Sequence, residues 1–272
     1  MVKVCVYSLI FRDYALKDIL EKLSEIGYDA IEIRIADDGV HLSTQYTEDD
    51  IVNVKNLLSE YNFKVSDLAG YAKLGYEWDR AKHEIDTMIR TGRAADKLGS
   101  KYFRIKVRGY DANVGYEKIR KLFREQLEHL IKTLKSENIE AVPVIEQHGG
   151  GDMAHTTAIL IDLLRGFDPE YIGVMFDPGN SVKEGWLPLD LQIDIVKDYI
   201  KHVHVKNYEW NPEKPGEVRA SPLDRGIVDW VKVVEILSKY GFDGYYSLED
   251  FRDMPPEVKA REAFEFFKKL NL

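Results

Sequence analysis

Short runs rich in β-branched residues alternate with longer amphipathic stretches along the whole chain, in eight successive pairs. The strand-like runs fall at 3–8, 30–35, 64–70, 102–107, 141–146, 171–177, 201–206 and 245–249. Apolar residues at helical spacing predict helices at 17–26, 48–61, 79–98, 116–137, 155–165, 188–199, 229–240 and 256–270. Gly27, Gly99 and Gly241 each follow a helical stretch and precede a strand, the place for a left-handed residue that ends a helix. Dividing 272 residues by eight gives about 34 per unit, the size of one βα pair. Uniform alternation without a Pro/Gly/Ser linker predicts an α/β fold, a single (β/α)8 barrel over residues 1–272, with an open doubly wound sheet as the alternative. Two long connections, 34–49 and 207–228, follow strands and so belong on the C-terminal face, where a barrel carries its substrate loops.

Composition narrows the function. Forty-seven acidic against 38 basic residues leave a net charge of −9, which disfavours nucleic acid and anionic membranes as partners. The one cysteine, Cys5, makes no intrachain disulfide and no thiolate metal cluster, in keeping with a reducing, cytoplasmic setting. Neither a signal sequence nor an apolar run of spanning length stands out. The run Gly149–Gly151 lacks the spacing of a phosphate-binding loop, so no nucleotide cofactor is expected.

The candidate chemistry lies at the strand ends. The inward residue nearest the end of a barrel strand meets whatever binds at the mouth. Four consecutive strands, the fifth to the eighth, bring Glu146, Asp177, His204 and Glu249 to such positions. Three converging carboxylates repel one another and raise their own pKa values unless a cation joins them. One imidazole with three carboxylates suits Mn²⁺, Mg²⁺ or Co²⁺, with Zn²⁺ also compatible. Taken singly, a strand-end acid is more often a solvated or salt-bridged rim residue than a ligand, and it is the four in register on adjacent strands that point to a metal; His202, deeper on the strand of His204, reads as a packed core histidine.

The segments VIEQHGG, GVMFDPGNS, IKHVHVKN, DRGIVDW and GYYSLED, in this order and spacing, resemble the xylose isomerase-like TIM barrels. The likeness is to the sugar phosphate isomerase/epimerase group with ketose 3-epimerases, hydroxypyruvate isomerase and inosose dehydratase. The resemblance implies that Glu146, Asp177, His204 and Glu249 hold one divalent metal, and that Glu146 and Glu249 double as the acid/base pair. It implies a small polyhydroxy carbonyl substrate and proton transfer through a metal-stabilised enediolate. A metal-dependent dehydratase of an inosose-like or keto-sugar substrate is the alternative. Remoter are an apurinic endonuclease, for which seven histidines and a net charge of −9 are a poor match, and a non-catalytic sugar-binding module, which would not need the Glu146 and Glu249 pair. A homodimer or homotetramer is the expected assembly.

Further residues are candidates for substrate contact. His148 shares the face of Glu146, and Lys206 that of His204, where it can meet a substrate oxygen or pair with a carboxylate. On the fourth strand Arg104, Lys106 and Arg108 alternate with apolar residues; the lower cations suit a buried ion network, and Lys106 or Arg108 an anionic substrate group. Tyr7, Tyr71 and Trp186 suggest an apolar wall at the mouth. Asn180 stands where ketose 3-epimerases carry a histidine and counts as a substrate candidate; Trp210 replaces an arginine of theirs. Both departures argue against a free ketohexose as substrate.

Overall fold

The protein is described here by a computed structural model, covering residues 2–184 and 186–270. The barrel strands are β1 (Lys3–Tyr7), β2 (Ala30–Ala36), β3 (Lys64–Leu74), β4 (Tyr102–Val107), β5 (Val142–Glu146), β6 (Gly173–Phe176), β7 (Ile200–Val205) and β8 (Tyr245–Leu248). Each pairs in parallel with its neighbours in the chain. Closure comes from β1, which pairs with β2 at Tyr7–Glu32 and with β8 at Lys3–Tyr245 through Val6–Leu248. This excludes an open sheet: the fold is a single (β/α)8 TIM barrel.

The helices are α1 (Leu16–Ile26), α2 (Glu48–Glu60), α3 (Trp78–Leu98), α4 (Tyr116–Ser136), α5 (Thr157–Leu164), α6 (Pro178–Glu184), α7 (Leu189–Val196), α8 (Trp230–Lys239) and α9 (Pro256–Lys269). Their apolar stripes cover the strand residues that point outward, such as Ile31, Ile33, Phe103, Ile105, Ile145 and Val203, and bury them in one core. The alternate strand residues fill the lumen, and many are polar or charged: Glu32, Asp67, Arg104, His202, His204 and Ser247 are all buried there. A polar lumen is costly, and most of its charged groups are tolerated because they pair with one another; Asp67, whose oxygens have no hydrogen-bond partner, has its carboxyl pushed well up by burial and Glu32. No described helix is long and apolar enough to cross a membrane.

Gly27 ends α1 with φ of 113°, and a Cβ there would lie 2.9 Å from the Phe264 ring, so both backbone and space call for glycine. Gly27→Ala is expected to cost about 1–2 kcal/mol from the left-handed backbone alone. The urea midpoint measures it; an unmoved midpoint would show that the junction relaxes freely.

Both long connections contain structure that the hydrophobic pattern did not predict. Leu42–Ser43 pairs in parallel with β2, and Asn207–Trp210 forms an antiparallel hairpin with Val218–Ser221. The hairpin is tied to the barrel by the Asn207 side chain, which donates to the carbonyls of Leu223 and Val228 and accepts from the amides of Tyr208 and Val228. A Cβ at Gly226 would overlap that amide at 2.0 Å, so glycine allows the close approach. The short helix α6, directly after β6, is likewise absent from the predicted set.

Candidate metal centre

Glu146 is the last residue of β5, His204 lies one residue from the end of β7, and Asp177 and Glu249 directly follow β6 and β8. Register holds them level: Glu146 pairs with Met175, and Ser247 with His204. All four are buried, and one donor atom from each lies within 4.8 Å of the others. From His204 Nδ1 the distances are 3.3 Å to Glu146 Oε1, 3.5 Å to Glu249 Oε2 and 4.0 Å to Asp177 Oδ2.

Each donor has its own support. His204 Nε2 donates to Glu32 at 2.9 Å, and His202 Nε2 contacts the same carboxylate at 3.1 Å. The ring of Tyr7 stacks on His204 with centroids 5.5 Å apart. Glu32 therefore occupies Nε2 and turns Nδ1 toward the three acids, the usual arrangement behind a metal-binding histidine. Burial would raise the Glu32 carboxyl, but the two histidines outweigh it and hold it well below the usual range. His202 is the packed, hydrogen-bonded core histidine its depth suggests.

Arg104 anchors Glu146 by donating to its Oε2 at 3.1 Å, to the Gly70 carbonyl at 2.9 Å and to the Tyr7 hydroxyl at 3.1 Å. Lys106 Nζ lies 3.4 Å from the same carboxylate oxygen. Burial pushes the Glu146 carboxyl up, yet Lys106, Arg104 and His204 together hold it well below its usual value. Asp177 accepts from the Asn180 side chain at 2.8 Å. Lys206 bridges Asp177 and Glu249 with a hydrogen bond to each. Burial and Glu249 raise the Asp177 carboxyl despite Lys206. In Glu249, Lys206 and His204 overcome burial and lower the carboxyl to about 2.

The residues fit a divalent cation. Glu146 Oε1 and His204 Nδ1 are buried, face each other, and have no hydrogen-bond partner. An ion bound by both would give each the close partner that this 3.3 Å ion pair lacks. Hard oxygen donors with one imidazole match Mg²⁺ or Mn²⁺.

Metal loading should release a proton. Burial lowers the His204 imidazole, but Glu32 and Glu249 raise it well above its ordinary value, so without metal Nδ1 is protonated at neutral pH. A ligating Nδ1 must lose that proton, so affinity should rise with pH, by up to about tenfold per unit, until the His204 value is passed. Calorimetry in buffers of different ionisation enthalpy counts the protons; affinity flat from pH 6 to 9 would contradict the account.

The other expected site residues divide. Lys106 and Lys206 face the carboxylates as described. His148 is half-exposed at the mouth, its Nδ1 3.0 Å from Asp152 Oδ2. Asn180 spends its amide on Asp177 and on the Gln147 carbonyl at 2.8 Å, so it steadies the acid and is not turned to the mouth. Arg108 is not brought to the cluster. Its guanidinium reaches Asp111 at 3.4 Å and the Gly109 carbonyl at 3.2 Å, beside the Tyr76 ring. Tyr7 is wholly buried and hydrogen-bonded to Tyr71 at 2.7 Å, so it supports Arg104 and His204 from below and lines no outer wall. Trp186 is exposed.

Lys73 and Asp152 were not expected at the mouth. Lys73 has a detectable signal, since it shares strand parity with Tyr71; Asp152 follows three glycines and has none.

Residues 20–270 match the family model described as xylose isomerase-like TIM barrel. Inosose dehydratase of Lacticaseibacillus casei is 25% identical over 124 residues, a match spanning 40% of this chain and 41% of that protein. A D-tagatose 3-epimerase-like protein superposes with a TM-score of 0.79 at 20% identity, covering 99% of this chain and 98% of its own. A xylose isomerase-like TIM barrel protein from Mycobacterium smegmatis, solved in complex with magnesium, gives 0.76 at 15%, covering 99% and 96%. The closed barrel and the match over residues 20–270 carry the same conclusion: the chain belongs to the xylose isomerase-like TIM barrel family.

Proposed function

We propose that this protein is a divalent-metal-dependent isomerase or epimerase that moves a proton beside the carbonyl of a small polyhydroxy compound. One observation carries the reading: Glu146 and Glu249, from strands three apart, flank His204 Nδ1 at 3.3 and 3.5 Å, and both carboxyls lie below their usual range. Both are thus ionised bases at neutral pH, available on two sides of a bound substrate. A divalent cation held by Glu146, Asp177, His204 and Glu249 would supply the Lewis acid that makes the carbon acid reactive.

The chain's own groups do the rest. One glutamate takes the proton from the carbon beside the carbonyl. Delivery to the opposite face by the other glutamate, once that carboxylate has taken up a proton from solvent between turnovers, inverts that centre; return by the first glutamate of the proton it took, to the neighbouring carbon, exchanges aldose and ketose. Arg104 and Lys106 keep Glu146 ionised, and Lys206 does the same for Glu249. Burial of all four groups excludes water that would compete for the proton.

The dehydratase reading has one observation in its favour. Lys206 places a buried ammonium against Glu249 and Asp177, where it can donate to a departing hydroxyl. The similarity to inosose dehydratase supports the same reading.

The test is turnover in D₂O of ketoses, aldoses, inososes and short hydroxy-keto acids, each with Mn²⁺, Mg²⁺ or Co²⁺, read by mass. An isomerase or epimerase yields product of unchanged composition carrying solvent deuterium at the transferred position. A product lighter by one water assigns a dehydratase. Unlabelled, unchanged compounds across the whole panel would overturn the proposal.

A further inference from the structure

The β3 strand runs eleven residues and slips register against β4 between Ala69 and Lys73, so that Lys73 becomes the direct neighbour of Lys106. Like charges facing each other on adjacent strands destabilise a sheet, so this pair needs a reason. Next to it the loops after β4 and β5 are bridged at Gly109–Asp152, with the Tyr110 amide donating to the Gly151 carbonyl at 3.1 Å. The bridge lays the Asp152 carboxylate against the lysines, 2.7 Å from Lys73 and 3.8 Å from Lys106, with His148 3.0 Å away.

Asp152 does not satisfy this cluster. The ammonium of Lys106 is buried, yet its nearest carboxylates stand at 3.4 and 3.8 Å, beyond the ~2.7–2.9 Å of a charge-assisted hydrogen bond. On the β3–β4 side of the centre Arg104, Lys106 and Lys73 meet the carboxylates of Glu146 and Asp152, while Asp67, lower on β3, has a carboxyl that burial and Glu32 push well up. On the other side Lys206 meets Asp177 and Glu249, and Glu32 lies beneath. With a divalent ion in the centre, and with Asp67 and the histidines outside the count, one positive charge is left over on the side of Lys106. Lys73 and His148, with side chains 32% and 37% exposed, leave it open to solvent.

We propose that Lys73, Lys106 and His148 form a seat for an oxyanion, so that the substrate is a polyhydroxy carbonyl compound bearing a carboxylate or phosphate group. The surplus charge rests on the metal-dependent reading above, whereas the lysine pair does not. Asp152 holds the lysines in place, and an incoming oxyanion supplies the close partner that Lys106 lacks.

Calorimetric titration with erythritol, D-erythronate and erythritol 4-phosphate, with and without Mn²⁺, tests the seat without needing turnover. At least one acid should bind about tenfold or more tighter than erythritol, the worth of one charged hydrogen bond. Whichever acid gains more tells carboxylate from phosphate. Lys73→Met and Lys106→Met should each remove most of the gain at unchanged metal content, and Lys106→Arg should restore part of it. Equal binding of all three probes would overturn the seat, as would a gain that survives both methionine variants, because the acid would then be chelating the ion. Protein that takes up no Mn²⁺ yet still prefers the acid through Lys73 and Lys106 would keep the seat while the metal reading falls.

Discussion

Glu249→Gln is expected to lower turnover about a thousandfold at saturating Mn²⁺, within the range that a positioned acid/base group contributes. The amide keeps the shape of the carboxylate but cannot take a proton. Lys206, which Glu249 shares with Asp177, retains its other partner, so the fold should persist. The decisive comparison is kcat at matched metal content on whichever substrate the D₂O panel identifies. Near-normal kcat would remove Glu249 from the proposed chemistry, and loss of metal alone would place its role in ligation.

The second large effect is on stability. Arg104 is 2% exposed and binds Glu146, the Tyr7 hydroxyl and the Gly70 carbonyl at once. Arg104→Met leaves those groups in the lumen with Lys106 as the main compensating charge on Glu146. Removing one partner of a buried pair costs about 3–5 kcal/mol. In a chain of this length that corresponds to a Tm lower by about 10 °C. The pH dependence gives an independent sign. Against burial, Lys106, Arg104 and His204 depress the Glu146 carboxyl, so its contribution is present above the ordinary glutamate range and is lost only as pH falls through the depressed value. Without Arg104 that value moves up, and acid destabilisation should begin at higher pH than in the unaltered protein. Parallel stability curves in the two proteins would contradict the network.

These effects depend on lumen residues, and the lumen is where the sequence was most and least informative. In β4, Phe103 and Ile105 alternate with Arg104 and Lys106, so the strand could be predicted as 102–107, the bounds it has in the structure. The four strand-end donors could be read because a barrel turns chain order into angular order, and β5 to β8 are consecutive. Glu32 could be seen as an inward acid on β2, but its grip on His204 crosses 172 residues of chain, and no local pattern encodes such a partner. The β3 prediction stopped at Gly70, because Gly70–Leu74 has no local strand signature and is held in the sheet by its pairing with β4. Lys73 is missed for that reason, although its parity with Tyr71 places it on the inward face once the strand is extended. Asn180 and Arg108 could be placed near the mouth, but their hydrogen bonds turn them to Asp177 and Asp111.

The cluster of Glu146, Asp177, His204 and Glu249 as a metal centre underlies the proposed reaction and the rise of affinity with pH. Elemental analysis of protein dialysed against Mn²⁺ tests it most directly, using the unaltered chain beside His204→Ala and Asp177→Asn. The account predicts one ion per chain in the first and a fraction of that in either variant, with melting confirming that both are folded. Equal metal content in all three proteins would contradict it.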